Sequence, residues 1–168
     1  MKLELKKVNI ITRMSEETTC FYAVLYVNDK PAADCSNTGK GGMTDVRFYD
    51  MDVLGEVMEY CKENPVVNEF RGKSYSFHGV DIRVDELLVE YQMKKELKSR
   101  QKKALVLHDT SMKDPAYVIH KYLNLRMDIE SMMKDKLCKG ALKQKILEYR
   151  NKGVTVMNTN IDYKSLGL

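Results

Sequence analysis

The amino-acid sequence predicts an α+β fold, with an antiparallel β-meander of about four strands over residues 1–50 and about four helices with short strands among residues 51–168. A C-terminal strand is expected to complete the sheet. Three observations carry this expectation. Residues 18–28, TTCFYAVLYVN, are rich in β-branched and aromatic side chains and lead into Asn28-Asp29-Lys30, which tolerates a tight hairpin turn. Apolar residues recur at helical spacing further along, as in Val84, Leu87, Leu88 and Tyr91. No internal repeat or Pro/Ser-rich linker divides the 168 residues, so 1–168 reads as one domain, long enough to bury a core without disulfide or metal staples.

Taken in order, Leu3, Leu5, Val8 and Ile10 nearly alternate, and the slip at Lys6-Lys7 predicts a strand over 2–13 with a bulge. After a polar turn at Ser15-Glu16-Glu17, the run 18–28 is apolar on both faces and reads as a central strand covered from both sides. The returning strand carries Ala32, Ala33 and Cys35, with Pro31 favouring an edge position. Ser36–Gly42 holds three of the nine glycines and reads as a loop. Val46, Phe48 and Tyr49 make a short strand. Asp50 then caps a helix with Leu54, Val57, Met58 and Cys61 on one face, ended by Asn64-Pro65.

Residues 65–80 read as irregular or weakly β, with Tyr75 and Phe77 alternating. Asp81 is placed to cap the helix bearing Val84 to Tyr91, whose face runs on into Lys94, Lys95 and Lys98. ALVLH (104–108) is a short buried strand. AYVIHKYL (116–123) fits strand or helix and is read as strand. Asp128 caps a helix with Ile129, Met132, Met133 and Leu137. Gly140 separates it from one bearing Leu142, Ile146 and Tyr149, and Gly153 stands at its C′ position. Val154 and Val156 begin the closing strand.

Composition places the chain among globular proteins: 43% of residues are apolar and 31% charged, with no long polar tract of the kind that stays disordered. The N-terminus lacks a signal-peptide apolar stretch and no long apolar run could span a bilayer, so neither secretion nor membrane insertion is expected. Cys20, Cys35, Cys61 and Cys138 lie far apart in apolar-periodic segments, which predicts reduced, buried thiols in a cytosolic compartment and no zinc site. Charge is uneven. Residues 1–92 carry 11 Lys/Arg against 16 Asp/Glu, or −5, and residues 93–168 carry 17 against 8, or +9. Such asymmetry marks a face for nucleic acid or an acidic partner, or two halves that attract each other.

Two segments are candidate sites. In the loop Asn37, Thr38, Gly39, Lys40, Gly41 and Gly42, successive glycines can turn backbone N–H groups towards one anion while Lys40 adds charge. The loop matches neither GxxxxGK[ST] nor GxGxxG, so a plain inter-strand loop is the competing reading. Around the basic helix end, Lys94, Lys95, Lys98, Arg100, Lys102 and Lys103 surround nearly the whole helix, a surface suited to phosphates or simply to water. Lys134, Lys136, Lys139, Lys143 and Lys145 would extend it if the helices lie side by side.

No catalytic constellation emerges from the remaining polar residues. His78, His108 and His120 are scattered, and His108-Asp109 with Ser111 lacks a nucleophile elbow. Glu96-Leu97-Lys98 lies mid-helix, away from converging carboxylates on strands. Asn158-Thr159-Asn160 reads as a turn or cap for the closing strand.

The segments TTCFYAVLYVNDKPAADCSNTGKGG and KGVTVMNTNI resemble small uncharacterised proteins carried by bacteriophages and integrated mobile elements. The resemblance implies a phage accessory protein, acting in the cytoplasm of a bacterial host by binding and blocking a defence component. The leading expectation is therefore a non-enzymatic binding protein that contacts a host protein or nucleic-acid complex through the basic C-terminal half, with no cofactor. One alternative is a nucleotide-sequestering protein using the glycine-rich loop, its pocket built between subunits of a homo-oligomer. The other is an enzyme acting on nucleic acid or nucleotide through His108, Asp109 or His120.

Overall fold

A computed structural model of the chain describes residues 1–109 and 121–168. The polypeptide separates into two compact units, Met1–Gln92 and Met93–Leu168. Together they give the α+β composition expected, with an antiparallel four-stranded sheet followed by helices.

In the first unit, β1 (Leu3–Ile10), β2 (Phe21–Val27), β3 (Lys30–Asn37) and β4 (Asp45–Phe48) lie in the order β1-β2-β3-β4, all neighbours antiparallel. The predicted bulge in β1 forms: the register with β2 shifts between Lys6 and Asn9, and Lys7 takes φ 52°. Asn28 and Asp29 both adopt positive φ, 48° and 66°, and close a two-residue turn whose twist matches the flanking strands. Pro31 lies beyond the end of β4, whose pairing begins at Ala33 opposite Phe48, so its missing N–H costs no rung of that ladder.

α1 (Met51–Glu63) starts where Asp50 accepts a 2.8 Å hydrogen bond from the Asp52 amide, and it ends at Asn64. Its packed face is Val53, Val57, Tyr60 and Cys61, whereas Met58 is exposed. The predicted face was therefore rotated by part of a turn.

α2 (Val80–Arg100) begins one residue before Asp81, which sits in its first turn rather than capping it; the Arg83 amide donates to the Gly79 carbonyl. Val84 and Leu88 reach the sheet core of Leu5, Phe21, Ala23, Leu25, Ala33 and Cys35. Each large side chain buried there is worth about 1.5–3 kcal/mol. Within this unit β2 is covered by a helix on one face only. The other face carries Tyr22, Tyr26 and Asp34: Asp34 accepts from the Tyr22 and Tyr49 hydroxyls at 2.8 and 2.9 Å, and the Lys6 ammonium sits 4.6 Å from the Tyr26 ring centroid. Val24, between the two tyrosines, is buried in spite of this.

Between the helices the chain is more regular than the sequence suggests. β5 (Val66–Phe70) and β6 (Lys73–Phe77) form a two-stranded antiparallel ribbon, closed by Arg71 and Gly72 at φ 51° and 73°.

In the second unit, β7 (Ala104–Asp109) is the centre of an antiparallel sheet with β8 (Lys121–Asn124) on one side and β9 (Val154–Val156) on the other. The C-terminal strand therefore forms, but it pairs with β7 in this second sheet and does not complete the β1–β4 meander, which ends at β1 and β4. The remainder of the 116–123 segment, with His120 and Ser111, lies outside the described residues. α3 (Ile129–Lys134) is capped by Asp128, and α4 (Lys136–Asn151) by Asp135, which accepts from the Cys138 amide at 2.7 Å. The helix break falls at Asp135, not at Gly140, because a capping carboxylate outweighs a glycine that helix interiors tolerate. Leu137 stands 85% exposed at that break and leaves the predicted stripe. Gly153, at φ 74°, follows α4 as its C′ residue, and a short α5 (Tyr163–Leu166) ends the chain. Leu105, Leu107, Ile129, Leu142, Ile146, Val156, Ile161 and Leu166 make this unit's own core.

The boundary between units coincides with the change of charge: Met1–Gln92 carries −5 and Met93–Leu168 carries +9. Among the described residues, no helix is long and apolar enough to cross a membrane.

Candidate functional site

The glycine-rich loop is held from within. Asn37 is buried at the end of β3. Its Oδ1 accepts from the Thr18 hydroxyl at 2.8 Å and the Gly39 amide at 2.9 Å, while its Nδ2 donates to the Gly42 carbonyl and the Thr44 hydroxyl. The Gly39 carbonyl in turn accepts from the amides of Glu16, Glu17 and Thr18, and the Gly41 amide donates to Thr18 Oγ1. Gly39 and Gly41, at φ 84° and 82°, let the chain make this close approach.

Two backbone N–H groups that a phosphate would use are thus engaged by the protein itself. Lys40 and Thr38 are exposed. Beside the loop lies an open cavity of about 470 Å³ whose lining includes Glu16, Glu17, Thr18, Asn37, Asp85 and Gln92. Its charged groups are all carboxylates, so it suits hydrogen-bond donors better than anions. Asp85 accepts a 2.6 Å hydrogen bond from Thr44, and burial raises its pKa against that bond.

The basic residues lie in the second unit. Lys94, Lys95, Lys98 and Arg100, on the last turns of α2, are exposed, as are Lys102 and Lys103 in the turn that follows. Arg100 pairs with Glu96 at 3.3 Å, a bridge across one helical turn. The turn is anchored by its backbone: the Lys102 carbonyl accepts from the Ile129 amide and the Lys103 carbonyl from Leu125. Lys102 shares a hollow with Asp128, Glu130 and Asp162, so nearby carboxylates offset its charge. α4 packs mainly on α3, β9 and α5, and its Lys145 pairs with Glu148 at 2.7 Å, while Lys134 of α3 pairs with Glu130.

Asn158 is buried, and the exposed Thr159 and Asn160 bond back with it onto Gln101. Gln101 Oε1 accepts from the Thr159 amide and hydroxyl, and the Gln101 carbonyl accepts from Asn158 and Asn160. These residues fasten the end of β9 to the start of β7, as the turn-or-cap reading expects. His108 lies on β7 opposite Thr155, and His78 is exposed after the ribbon. Among the described residues, no group of three His, Cys, Asp or Glu could hold a metal ion.

What the sequence reading missed is the outward face of the β5–β6 ribbon, where Phe70, Tyr75 and Phe77 stand exposed. Its signal was present in the alternation of Tyr75 and Phe77 and in Arg71-Gly72, a pair suited to a tight turn.

The four cysteines are free thiols; Cys20, Cys35 and Cys61 are buried and Cys138 is half-buried. Burial pushes the Cys35 thiol up to about 12, and hydrogen bonding to Asp135 raises that of Cys138. A chromogenic disulfide reagent should label Cys138 first in the native protein, and all four thiols only in denaturant. Labelling of Cys35 as fast as Cys138, read by peptide mass mapping, would contradict this packing.

Comparison with protein-family models, curated proteins and solved structures gives no match for this chain.

Proposed function

We propose that the protein is a non-enzymatic binding protein that engages an anionic partner, a host nucleic-acid complex or the acidic face of a host protein, through the basic unit Met93–Leu168. The observation that carries this reading is the confinement of a +9 charge to one compact unit with its own core, where Lys94, Lys95 and Lys98 lie exposed on consecutive turns of one helix. Cations so placed attract a polyanion over several ångströms and release its counterions on contact. The resemblance to phage-borne proteins supports a host defence component as the target and inhibition by occupancy as the mechanism. The internal engagement of the glycine-rich loop supports this reading over nucleotide sequestration.

The test is the triple variant Lys94→Glu/Lys95→Glu/Lys98→Glu titrated against labelled DNA and RNA at several salt concentrations. Affinity should fall at least about tenfold, and the slope of log affinity against log salt should shrink by about one for each lysine that meets a phosphate. The side chains are exposed, so thermal stability should change little. Binding with unchanged affinity and slope would remove nucleic acid from the proposal.

A further inference from the structure

We propose that the ring-bearing face of the β5–β6 ribbon is a stacking platform for single-stranded nucleic acid, separate from the basic stretch of the second unit. The pairing of Val66 with Phe77, Asn68 with Tyr75 and Phe70 with Lys73 puts these six side chains on one face. Val67, Glu69, Ser74 and Ser76 occupy the other. At the root of the ribbon Val66 is buried, whereas Phe70, Tyr75 and Phe77 are 60%, 46% and 39% exposed and belong to no core cluster among the described residues. An isolated two-stranded ribbon is marginal in water, and large rings left facing solvent mark a contact surface.

The chemistry of the face selects the occupant. Two cations gather at the turn end of the ring-bearing face: the Arg71 guanidinium lies 5.1 Å from the Phe70 ring centroid, and Lys73 sits directly across from Phe70. The ribbon's one carboxylate, Glu69, is on the opposite face. Rings two residues apart on a strand are separated by about 7 Å, room for bases splayed from one strand, and the Asn68 amide opposite Tyr75 can bond a base edge. Single strands offer bases for such stacking and phosphates for Arg71 and Lys73, whereas a duplex keeps its bases inside. A purely apolar protein partner would leave both cations without counter-charges.

The experiment is fluorescence anisotropy of a labelled oligouridylate of roughly 12 nucleotides at low salt, with the intact protein. Phe70→Ala and Tyr75→Ala should each weaken binding about tenfold, Tyr75→Phe should bind within about twofold of the parent, and Tyr75→Leu should behave like the alanine variant. The ring dependence should persist in the Lys94→Glu/Lys95→Glu/Lys98→Glu background, which separates this platform from the basic stretch. Circular dichroism should show unchanged melting, since the rings lie outside the cores. The proposal is overturned if the parent does not bind, if duplex competes as well as single strand, or if Tyr75→Leu binds like Tyr75→Phe. It also fails if sedimentation shows that Phe70→Ala and Tyr75→Ala abolish self-association instead, which would make the ribbon an interface between copies.

Discussion

Gly39→Ala should destabilise the N-terminal unit by about 3–5 kcal/mol, the range reached when backbone strain and a steric clash act at one residue. At φ 84° an alanine meets the left-handed penalty of about 1–2 kcal/mol. Its Cβ would also fall 2.2 Å from the Met14 carbonyl oxygen and 2.8 Å from Cys20 Cβ. Neither neighbour can move alone, because the Gly39 carbonyl accepts the Glu16 and Glu17 amides and Cys20 adjoins β2. Gly41→Ala should cost less: φ is 82°, but the Cβ meets Glu17 Oε2, the tip of a side chain that can swing away. Gly42→Ala, with nothing within 4 Å, should stay within about 0.5 kcal/mol. Urea unfolding of the three variants gives the order directly. Equal midpoints for Gly39→Ala and Gly42→Ala would mean that the loop is not the clasp described above.

That order also bears on what the loop is for. Glycines that admit a carbonyl to a neighbouring turn and glycines that admit a phosphate leave the same trace in a sequence. The two uses separate only when the acceptor is located, here Asn37 for the Gly39 amide and Thr18 for the Gly41 amide. Lys40 illustrates the same limit: its side chain is exposed while its neighbour Gly39 is buried.

Features governed by a few adjacent residues were legible. The Lys6-Lys7 phase slip became a bulge, Asn28-Asp29 a two-residue turn, Asp50 and Asp128 N-caps, and Gly153 a C′ residue, because each depends on local backbone preference and short-range hydrogen bonding. Features that depend on what an element packs against were not. The period of α1 fits Val53 and Tyr60 as well as Leu54 and Met58, and only the cluster with Val27 and Ala32 decides that Val53 packs and Met58 does not. Leu137 continues an apolar spacing across a helix break that Asp135 creates. β5 and β6 read as weak because just one of their ten residues, Val66, is buried, so burial left little periodic trace. The change of charge after Gln92 was visible in the sequence, but not that a packing boundary falls there.

Asn158→Ala should destabilise the second unit by about 3–5 kcal/mol, since each buried polar group left without a partner costs about 1–3 kcal/mol. β9 stops at Val156, where the Met157 amide still reaches the Val106 carbonyl at 2.8 Å. Beyond it the backbone turns away, and the Asn158 side chain takes over the ladder. Its Oδ1 accepts the Val106 amide at 2.7 Å, and its Nδ2 donates to the Ala104 carbonyl at 2.9 Å. The residue is 3% exposed, so water would not readily replace these bonds after truncation.

Asn158→Asp keeps the acceptor for Val106 and inverts the donor, setting a carboxylate oxygen against the carbonyls of Ala104 and Gln101. That environment raises the folded-state pKa of the new carboxyl above its unfolded value. The deficit should therefore be full above the folded pKa and shrink as pH falls through it, when the protonated acid can donate again. Asn158→Ala should show no such recovery. Hydrogen exchange should rise first in β7, β9 and α4, the elements these bonds hold around Leu105, Leu142 and Ile146. Exchange that rises only in Tyr163–Leu166 would mean that the side chain secures the C-terminal turn and not the sheet.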